Sequence, residues 1–539
     1  MSFVTVSLIL LVAILLYKFL APPPSLASLP YAPILKTLRG FIGNEPFDIR
    51  YFRDRAAIHS PKDGIARLWI VGRWTIVLTN PEYAKQVTAN PNKFPKVIMA
   101  DTPLFKHTHV VKAFGRNVVG TGGTEWKRHR NVVSPPFSRP LDPELFAKSV
   151  EMLIARLNDA AAAAEKDAGK GIDMYPWMQR LTLDVLGKII FSFDFGSLSS
   201  AEPSRYVTLY NDLIAAVLKP IMFVFPFLPL LPLESNRRTE RHIEEFRGLM
   251  KGMVADRRQR LENVHIGDVK PAGKTSQDLL DMMVESSNEN KDPMHHLNEE
   301  ELINDLTIFF VAGHDTTSNA LSIALHYLAA NPHIQDRARK HVRTVMALHP
   351  RNASTTDPTP SKLSSTIPSA DAIRKFSYIH AIIKESLRLY PSATALGFRR
   401  CVEDTRFGTH LVPKGTWLQV DIFGMHRDPA LWGANPDEFD PERFLAPPEK
   451  TGNEDEDEDD LLAAPRAMQN HPGWMPFGGG SRICLGMQFS LMEQKVALAM
   501  LLNTFRFSLP AGDPDAHHIT LTTGGLLRPE EARICIERL

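Results

Sequence analysis

Residues 477–486 read Phe-Gly-Gly-Gly-Ser-Arg-Ile-Cys-Leu-Gly, a loop with four glycines, one arginine and one cysteine. Cys484 stands just before a helical pattern whose apolar positions include Leu485, Phe489, Met492, Val496 and Met500, so its sulfur should lie near a helix N-terminus. Free amide hydrogens and the positive dipole end there favour thiolate over thiol. Gly478, Gly479, Gly480 and Gly486 remove side chains and allow a large flat object to approach the sulfur. A single thiolate without a second protein ligand suits the axial position of a heme iron. No Lys-Ser or Lys-Thr pair follows the glycines, which excludes a phosphate loop. A nucleophilic cysteine enzyme stays open, although no His, Asn or Asp has a readable relation to the loop that would supply its base.

Working outward, the longest helical pattern, Asn298 to Ala330, opens on a capping box, with Asn298 at the cap and Glu301 three residues on. Inside it lies Ala312-Gly313-His314-Asp315-Thr316-Thr317. Glycine costs about 1 kcal/mol relative to alanine in a helix interior, and Asp and Thr compete for backbone hydrogen bonds, so this patch weakens the helix. Phe309, Ala312, Gly313, Thr316 and Ala320 share a face, a strip of small side chains with one hydroxyl at its centre. Taken alone, the strip reads equally as close helix packing or as a site.

The other helical periods are Leu145 to Glu165, Trp177 to Phe191, Thr239 to Glu262, Tyr378 to Leu389 and Leu485 to Phe505. Gly64 to Asn80 reads as a hairpin around Gly72, and Thr409 to Phe423 as strand broken by a turn at Pro413 to Thr416. The expected fold is mainly α with a minor β-sheet region. There is no internal repeat and no linker long enough to separate two large domains. Residues 1–20 form a predicted membrane anchor, apolar from Phe3 to Tyr17, without the basic start of a secretory signal. Residues 21–40 read as a proline-containing hinge, Pro22, Pro23 and Pro24 forming a stiff spacer, and residues 41–539 as one catalytic domain. Lys18, Lys36 and Arg39 would hold that domain in the cytosol.

A formal net charge of +1 gives no reason to expect nucleic acid as a partner. Cys401, Cys484 and Cys535 are too few and too far apart for a disulfide framework or a zinc site. Glu454 to Asp460 is an acidic run, read as a solvated surface insertion.

Phe477, Gly480, Arg482, Cys484 and Gly486 match FxxGxRxCxG, the heme-binding signature of the cytochrome P-450 monooxygenases, without a mismatch. Ala312 to Thr317 resembles that family's oxygen-activation motif, Glu385 and Arg388 its ExxR pair, and Pro441 to Phe444 its PERF segment, in the family's order. The chain therefore resembles the membrane-bound eukaryotic members of the family over nearly its whole length. The resemblance implies a single-domain cytochrome P-450 fold holding heme b, with Cys484 as the axial ligand of the iron and Phe477 shielding the sulfur. It implies that Thr316 holds a water or the reduced oxygen by hydrogen bond and that Asp315 relays protons from solvent. Glu385, Arg388 and Arg443 would form a structural carboxylate–guanidinium network, while Trp126, Arg130, Arg399 and Arg482 would bind the heme propionates. Arg400 beside Arg399 leaves that assignment ambiguous, and His129 is a weaker candidate than a structural histidine.

The chain carries no flavin or nicotinamide fingerprint, so electrons are expected from an NADPH-dependent diflavin reductase, with cytochrome b5 as a further donor. Lys127, Arg128, Arg139 and Lys495 are candidates for the docking face. The resemblance also implies residence in the endoplasmic reticulum membrane and insertion of one oxygen atom from O2 into a lipophilic small molecule, whether terpenoid, fatty acid or xenobiotic aromatic. Ile221 to Leu233, apolar and broken by prolines, is a candidate mouth to the site. Two alternatives are a heme-thiolate isomerase or dehydratase acting on peroxides, against which Asp315 and Thr316 speak, and a non-catalytic membrane heme sensor.

Overall fold

The computed structural model describes residues 17–539 except 18–19, 44, 60–61, 71, 104, 165–170, 201, 220, 223–224, 267–277, 289–291, 352–366, 446–470, 513–518 and 523–525. The expected anchor, Tyr17 and Leu20 excepted, and the acidic run Glu454 to Asp460 lie outside the described residues. Among the described residues no helix is long and apolar enough to cross a membrane.

Three- and four-residue apolar spacing becomes helix in α1 (Gly123–Val133), α2 (Pro143–Ala164), α3 (Tyr175–Leu186), α4 (Glu234–Ile266), α5 (Glu299–Ala330), α6 (Ser377–Leu389) and α7 (Met487–Thr504). The capping box that opens α5 is formed in both directions, Asn298 accepting from the Glu301 amide at 2.9 Å and Glu301 from the Asn298 amide at 3.0 Å. Most of α5 is buried, packed against α3, α4, α6 and α7. It is the central rod on which the site is hung. α7 differs from the amphipathic expectation: Phe489, Leu491 and the run from Val496 to Leu502 are all buried. A helix enclosed on nearly every side needs no polar face.

The hairpin forms from β1 (Ile65–Ile70) and β2 (Arg73–Leu78), with Trp69 opposite Trp74 and Gly72 at φ +73° in the turn. β2 pairs in parallel with β4 (Trp417–Val420), and β4 pairs antiparallel with β3 (Arg399–Arg400). The expected turn before β4 is closed by the Thr416 amide on the Pro413 carbonyl at 3.2 Å. Residues expected as a stiff spacer behave differently. Leu26 and Leu29 are buried under this sheet, and Arg67 donates to the Leu29 and Ala27 carbonyls. Two apolar side chains and one guanidinium draw the segment onto the body.

Candidate active site

The cysteine loop packs where glycine permits it. Gly480 has φ +66°, and a Cβ there would lie 2.3 Å from the Thr88 carbonyl oxygen, so conformation and contact both exclude a side chain. At Gly486 a Cβ would meet nothing within 4 Å. The glycines thus divide: Gly480 seats the loop on its neighbour, and Gly486 leaves the open space expected above the helix end. The Cys484 amide donates to the Phe477 carbonyl at 2.9 Å, and the Phe477 ring sits 6.1 Å from that of Trp474.

Cys484 is exposed on its open side. The fold surrounds it elsewhere, and that desolvation raises its pKa above an ordinary thiol's, against the lowering influence of the Gly486 amide and the Arg130 guanidinium. The amide at the helix end does favour thiolate, and burial opposes it. A metal ion deprotonates a coordinating thiol outright, so a raised value is compatible with an axial ligand.

Cations converge beside the loop. Arg130 donates to the Ile483 carbonyl at 3.1 Å, one residue from the sulfur. Arg482 lies over the Trp126 ring at 4.4 Å and donates to the Thr121 carbonyl at 2.8 Å. Arg399 is buried and donates to the Phe94 carbonyl at 3.4 Å, whereas Arg400 is exposed, as alternation along β3 dictates. A fourth cation escaped the sequence reading. Lys96 pairs backbone to backbone with Arg399, and its ammonium donates to the Val119 carbonyl.

Burial, then Arg482 and Arg399, lowers Lys96 to about 7; burial, then Arg399 and Arg130, lowers Arg482 to about 10. Like charges gathered with main-chain carbonyls as their hydrogen-bond partners favour a bound anion. Heme propionates fit that demand. Lys96→Met is expected to lose heme to apomyoglobin about three- to tenfold faster than the wild type, the effect of removing one charge-assisted contact worth about 1 kcal/mol. Lys96→Arg should stay near the wild-type rate, measured by Soret absorbance.

Glu385, Arg388 and Arg443 come together as expected. The Arg388 fork grips both Glu385 carboxylate oxygens at 2.7 Å, and Arg443 approaches the same carboxylate at 3.5 Å. The remaining Arg388 donors reach the carbonyls of His426 at 2.8 Å, Pro436 at 2.6 Å and Glu438 at 3.1 Å. His426, unnoticed in the sequence, joins this network to the loop: its Nδ1 meets the Arg388 carbonyl at 3.0 Å and its Nε2 accepts the Met475 amide at 2.9 Å. Burial, then Arg388, lowers it to about 3, so the imidazole is neutral with a fixed tautomer.

On α5 the small-residue strip serves two purposes. A Cβ at Gly313 would lie 2.7 Å from a methyl of Leu186, so this glycine is needed for packing against α3. Ala312, by contrast, is exposed and Thr316 half-exposed on a helix that is otherwise enclosed. The Thr316 hydroxyl donates to the Ala312 carbonyl at 2.9 Å, and the hydroxyls of Thr182 and Ser392 supply the carbonyls of His314 and Thr316 at 3.0 and 2.7 Å. These bonds compensate the weak patch. Thr317 meets Ser490 at 2.9 Å, tying the patch to the first turn of α7, beyond the cysteine loop.

Asp315 is only 3% exposed and accepts the Tyr175 hydroxyl at 2.8 Å, with the Arg528 guanidinium 5.4 Å from the Tyr175 ring. Its contact with the exterior therefore runs through Tyr175 and the half-exposed Arg528. Burial, then Asp315, holds the Tyr175 phenol well above its ordinary pKa, so it remains a donor. His129 is buried with Nδ1 2.6 Å from Asp305, occupied inside the fold.

The basic residues Lys127, Arg128 and Lys495 differ in their surroundings. Arg128 is engaged by Glu301 at 2.8 Å and by the His296 carbonyl at 2.6 Å, and Lys495 is half-buried with its ammonium on the Ile373 carbonyl at 3.4 Å. Lys127 is exposed. Cys401 is fully buried, and desolvation pushes its thiol up to about 11, consistent with an inert packing residue.

An open cysteine, a basin of cations beside it and a half-exposed hydroxyl on a buried helix tied to the helix after the cysteine loop are the arrangement a heme-thiolate protein needs. The family model for Cytochrome P450 matches residues 41–536, and the chain belongs to that family. It is 30% identical to Cytochrome P450 3A29 of Sus scrofa, over 76% of this chain and 72% of that protein. It is 28% identical to a cytokinin hydroxylase of Arabidopsis thaliana, over 76% and 69%, and 26% identical to an 11-oxo-beta-amyrin 30-oxidase of Glycyrrhiza uralensis, over 86% and 79%. The protein is a heme b monooxygenase of small molecules that uses O2 and draws electrons from a redox-partner reductase.

Proposed function

We propose that this chain is a membrane-anchored monooxygenase that hydroxylates or epoxidises a lipophilic small molecule with electrons from an NADPH-dependent diflavin reductase, cytochrome b5 assisting. The observation that carries it is the half-exposed Thr316 beside exposed Ala312 on a buried helix, with Cys484 open beside the cation basin. Cys484 would hold the heme iron through its sulfur, and Lys96, Arg130, Arg399 and Arg482, with Trp126, would hold the propionates. Bound there, heme supplies activation of O2 at its iron. Thr316 keeps both oxygen lone pairs beyond its bond to Ala312 and holds a water by accepting from it. Asp315, backed by Tyr175, supplies protons to that position.

A lipophilic substrate is supported by the half-exposed run Ala393 to Leu396 and by a small cavity lined mainly by apolar side chains, Phe105, Val111, Val217 and Met222 among them. Relatives named for a cytokinin and for 11-oxo-beta-amyrin fit that class. The anchor at residues 1–20 and the endoplasmic reticulum membrane are supported by exposed apolar side chains at Leu35 (83%), Phe227 (52%) and Leu230 (60%). Residues 41–539 form the catalytic domain behind it.

Reconstitution with the diflavin reductase, NADPH and isotopically heavy O2 should place one heavy oxygen atom in the product. Product formed from peroxides without NADPH would instead favour an isomerase or dehydratase. In the same assay Thr316→Ala is expected to retain heme but to lower product formed per NADPH about tenfold or more, within the usual range for a proton-transfer group, with hydrogen peroxide rising to match. Unchanged coupling would remove Thr316 from the reaction.

A further inference from the structure

Where α1 meets the first turn of α5, three metal-ligating side chains share one space. Glu125 and His129 stand one turn apart on α1, Glu301 is on α5, and the ligating atoms of the three lie within 4.8 Å of one another. His129 is fully buried, and among the described residues its Nε2 has no hydrogen-bond partner. Glu301 Oε1 stands 3.8 Å from it, beyond hydrogen-bond reach. A buried ring nitrogen that faces a carboxylate without bonding to it leaves room for a ligand between them.

The other ring nitrogen shows how the imidazole is set. Nδ1 is 2.6 Å from Asp305, whose carboxylate also accepts the Val118 amide at 2.6 Å. A carboxylate on Nδ1 fixes the tautomer that leaves the Nε2 lone pair free, the arrangement that backs metal-bound histidines. The two glutamates also keep acceptor capacity. Glu301 Oε2 accepts from Arg128 at 2.8 Å and from the Asn298 amide at 3.0 Å, whereas Oε1, the oxygen facing His129, takes one donor, the second nitrogen of Arg128. Glu125 takes the Arg116 fork with one donor on each oxygen, so a lone pair remains on both. Arg116 serves Asp101 as well. The cluster thus sets the carboxylates of Asp101, Glu125, Glu301 and Asp305 against two guanidiniums, and with His129 neutral the two uncompensated negative charges match a divalent cation.

We propose that Glu125, His129 Nε2 and Glu301 bind one Zn2+ ion that staples α1 to α5, with water as the fourth ligand. The proposal is independent of the monooxygenase reading. One imidazole and two carboxylates suit zinc over Mg2+ or Ca2+, which take oxygen ligands. Zinc at about 2.0–2.2 Å from each donor sets the donors about 3.5 Å apart, near the separation already present between His129 and Glu301. Glu125, whose side chain is the most exposed of the three, closes the remaining distance and gives the ion its way in. Burial lowers the His129 pKa, but the hydrogen bonds to Asp305 and then Glu301 outweigh it and raise it to about 9, so zinc must displace one proton into solvent.

The test titrates the chelator-stripped, heme-loaded full chain with zinc chloride by calorimetry and locates the ion by anomalous diffraction at the zinc edge. One ion per chain is expected between Glu125, His129 and Glu301, with affinity rising about tenfold per pH unit between about pH 6 and 7.5 as the His129 proton becomes easier to displace. Glu125→Gln and His129→Gln should each weaken binding about tenfold or more and abolish the rise in unfolding temperature that zinc gives the wild type. An anomalous peak absent from this cluster at saturating zinc, affinity unchanged in Glu125→Gln, or displacement of zinc by an equal concentration of Mg2+ would each overturn the assignment. Should His129→Gln not fold, Glu125→Gln decides, since it leaves the buried His129–Asp305 pair in place and its carbon monoxide difference spectrum reports whether the heme domain is intact. That spectrum also keeps the two readings apart: a thiolate band without zinc binding rejects the metal site alone.

Discussion

Arg388→Leu is expected to abolish accumulation of heme-loaded protein. Both members of the Glu385–Arg388 pair are fully buried, and the fork bond at 2.7 Å on each carboxylate oxygen is their main mutual contact. Removing one partner of a buried ion pair costs about 3–5 kcal/mol, chiefly because the remaining charge stays desolvated without compensation. Here the loss is larger in kind, since the carbonyls of His426, Pro436 and Glu438 lose their donor as well. Total stability of a domain is about 5–15 kcal/mol, so a deficit of this size removes most of it. The damage also reaches the site, because His426 transmits the position of Arg388 to the Met475 amide at the head of the cysteine loop. Arg388→Lys should fail nearly as badly, since an ammonium cannot reproduce the planar fork. Arg443→Ala provides the contrast. Its guanidinium is 18% exposed and 3.5 Å from Glu385, while its other donors reach loop carbonyls of Trp432 and Asn435. Thermal unfolding and heme content per polypeptide should place Arg443→Ala well above Arg388→Leu. Equal stability of all three with the wild type would show that the network is not what holds the loop.

How far the site was legible depends on whether its contacts are local. The cysteine loop was readable because glycine spacing and the helix that follows lie within ten residues of one another, and the capping box of α5 for the same reason. Glu385 and Arg388 at i and i+3 were readable as a pair, but their hold on His426 was not, since that contact spans 38 residues. Arg399 and Arg400 could have been separated by strand alternation had β3 been recognised; two residues are too short a run to show a period. Lys96 had no local signal at all, being one lysine after a proline, and became meaningful only when the bridge to Arg399 brought it to the basin. The ion pair of Arg128 was not legible, because composition alone cannot tell a solvated arginine from one held by Glu301, 173 residues away. The same distance problem hid Tyr175 behind Asp315, 140 residues apart.

Cys484→Ala is expected to eliminate the thiolate-type Soret shift of the reduced carbon monoxide complex while leaving part of the heme in place. The two halves of that result have separate causes. Retention depends on the cation basin and on apolar burial of the porphyrin, and Lys96, Arg130, Arg399 and Arg482 are untouched by the substitution. The spectral signature depends on sulfur alone, through the electron density a thiolate donates to the iron. Burial raises the pKa of the Cys484 thiol against the influence of the Gly486 amide and Arg130, which favours the thiol before heme binds, and a coordinating metal would drive the proton off. Heme binding should therefore release about one proton per site, measurable by calorimetry in buffers of different ionisation enthalpy, and Cys484→Ala should release about one fewer. Cys484→His offers a ligand of comparable reach with nitrogen chemistry, and should return heme to near wild-type content with a nitrogen-type spectrum. A thiolate band that survived in either variant would move the ligand to another sulfur, and Cys401, buried under the sheet, and half-buried Cys535 are the two remaining cysteines.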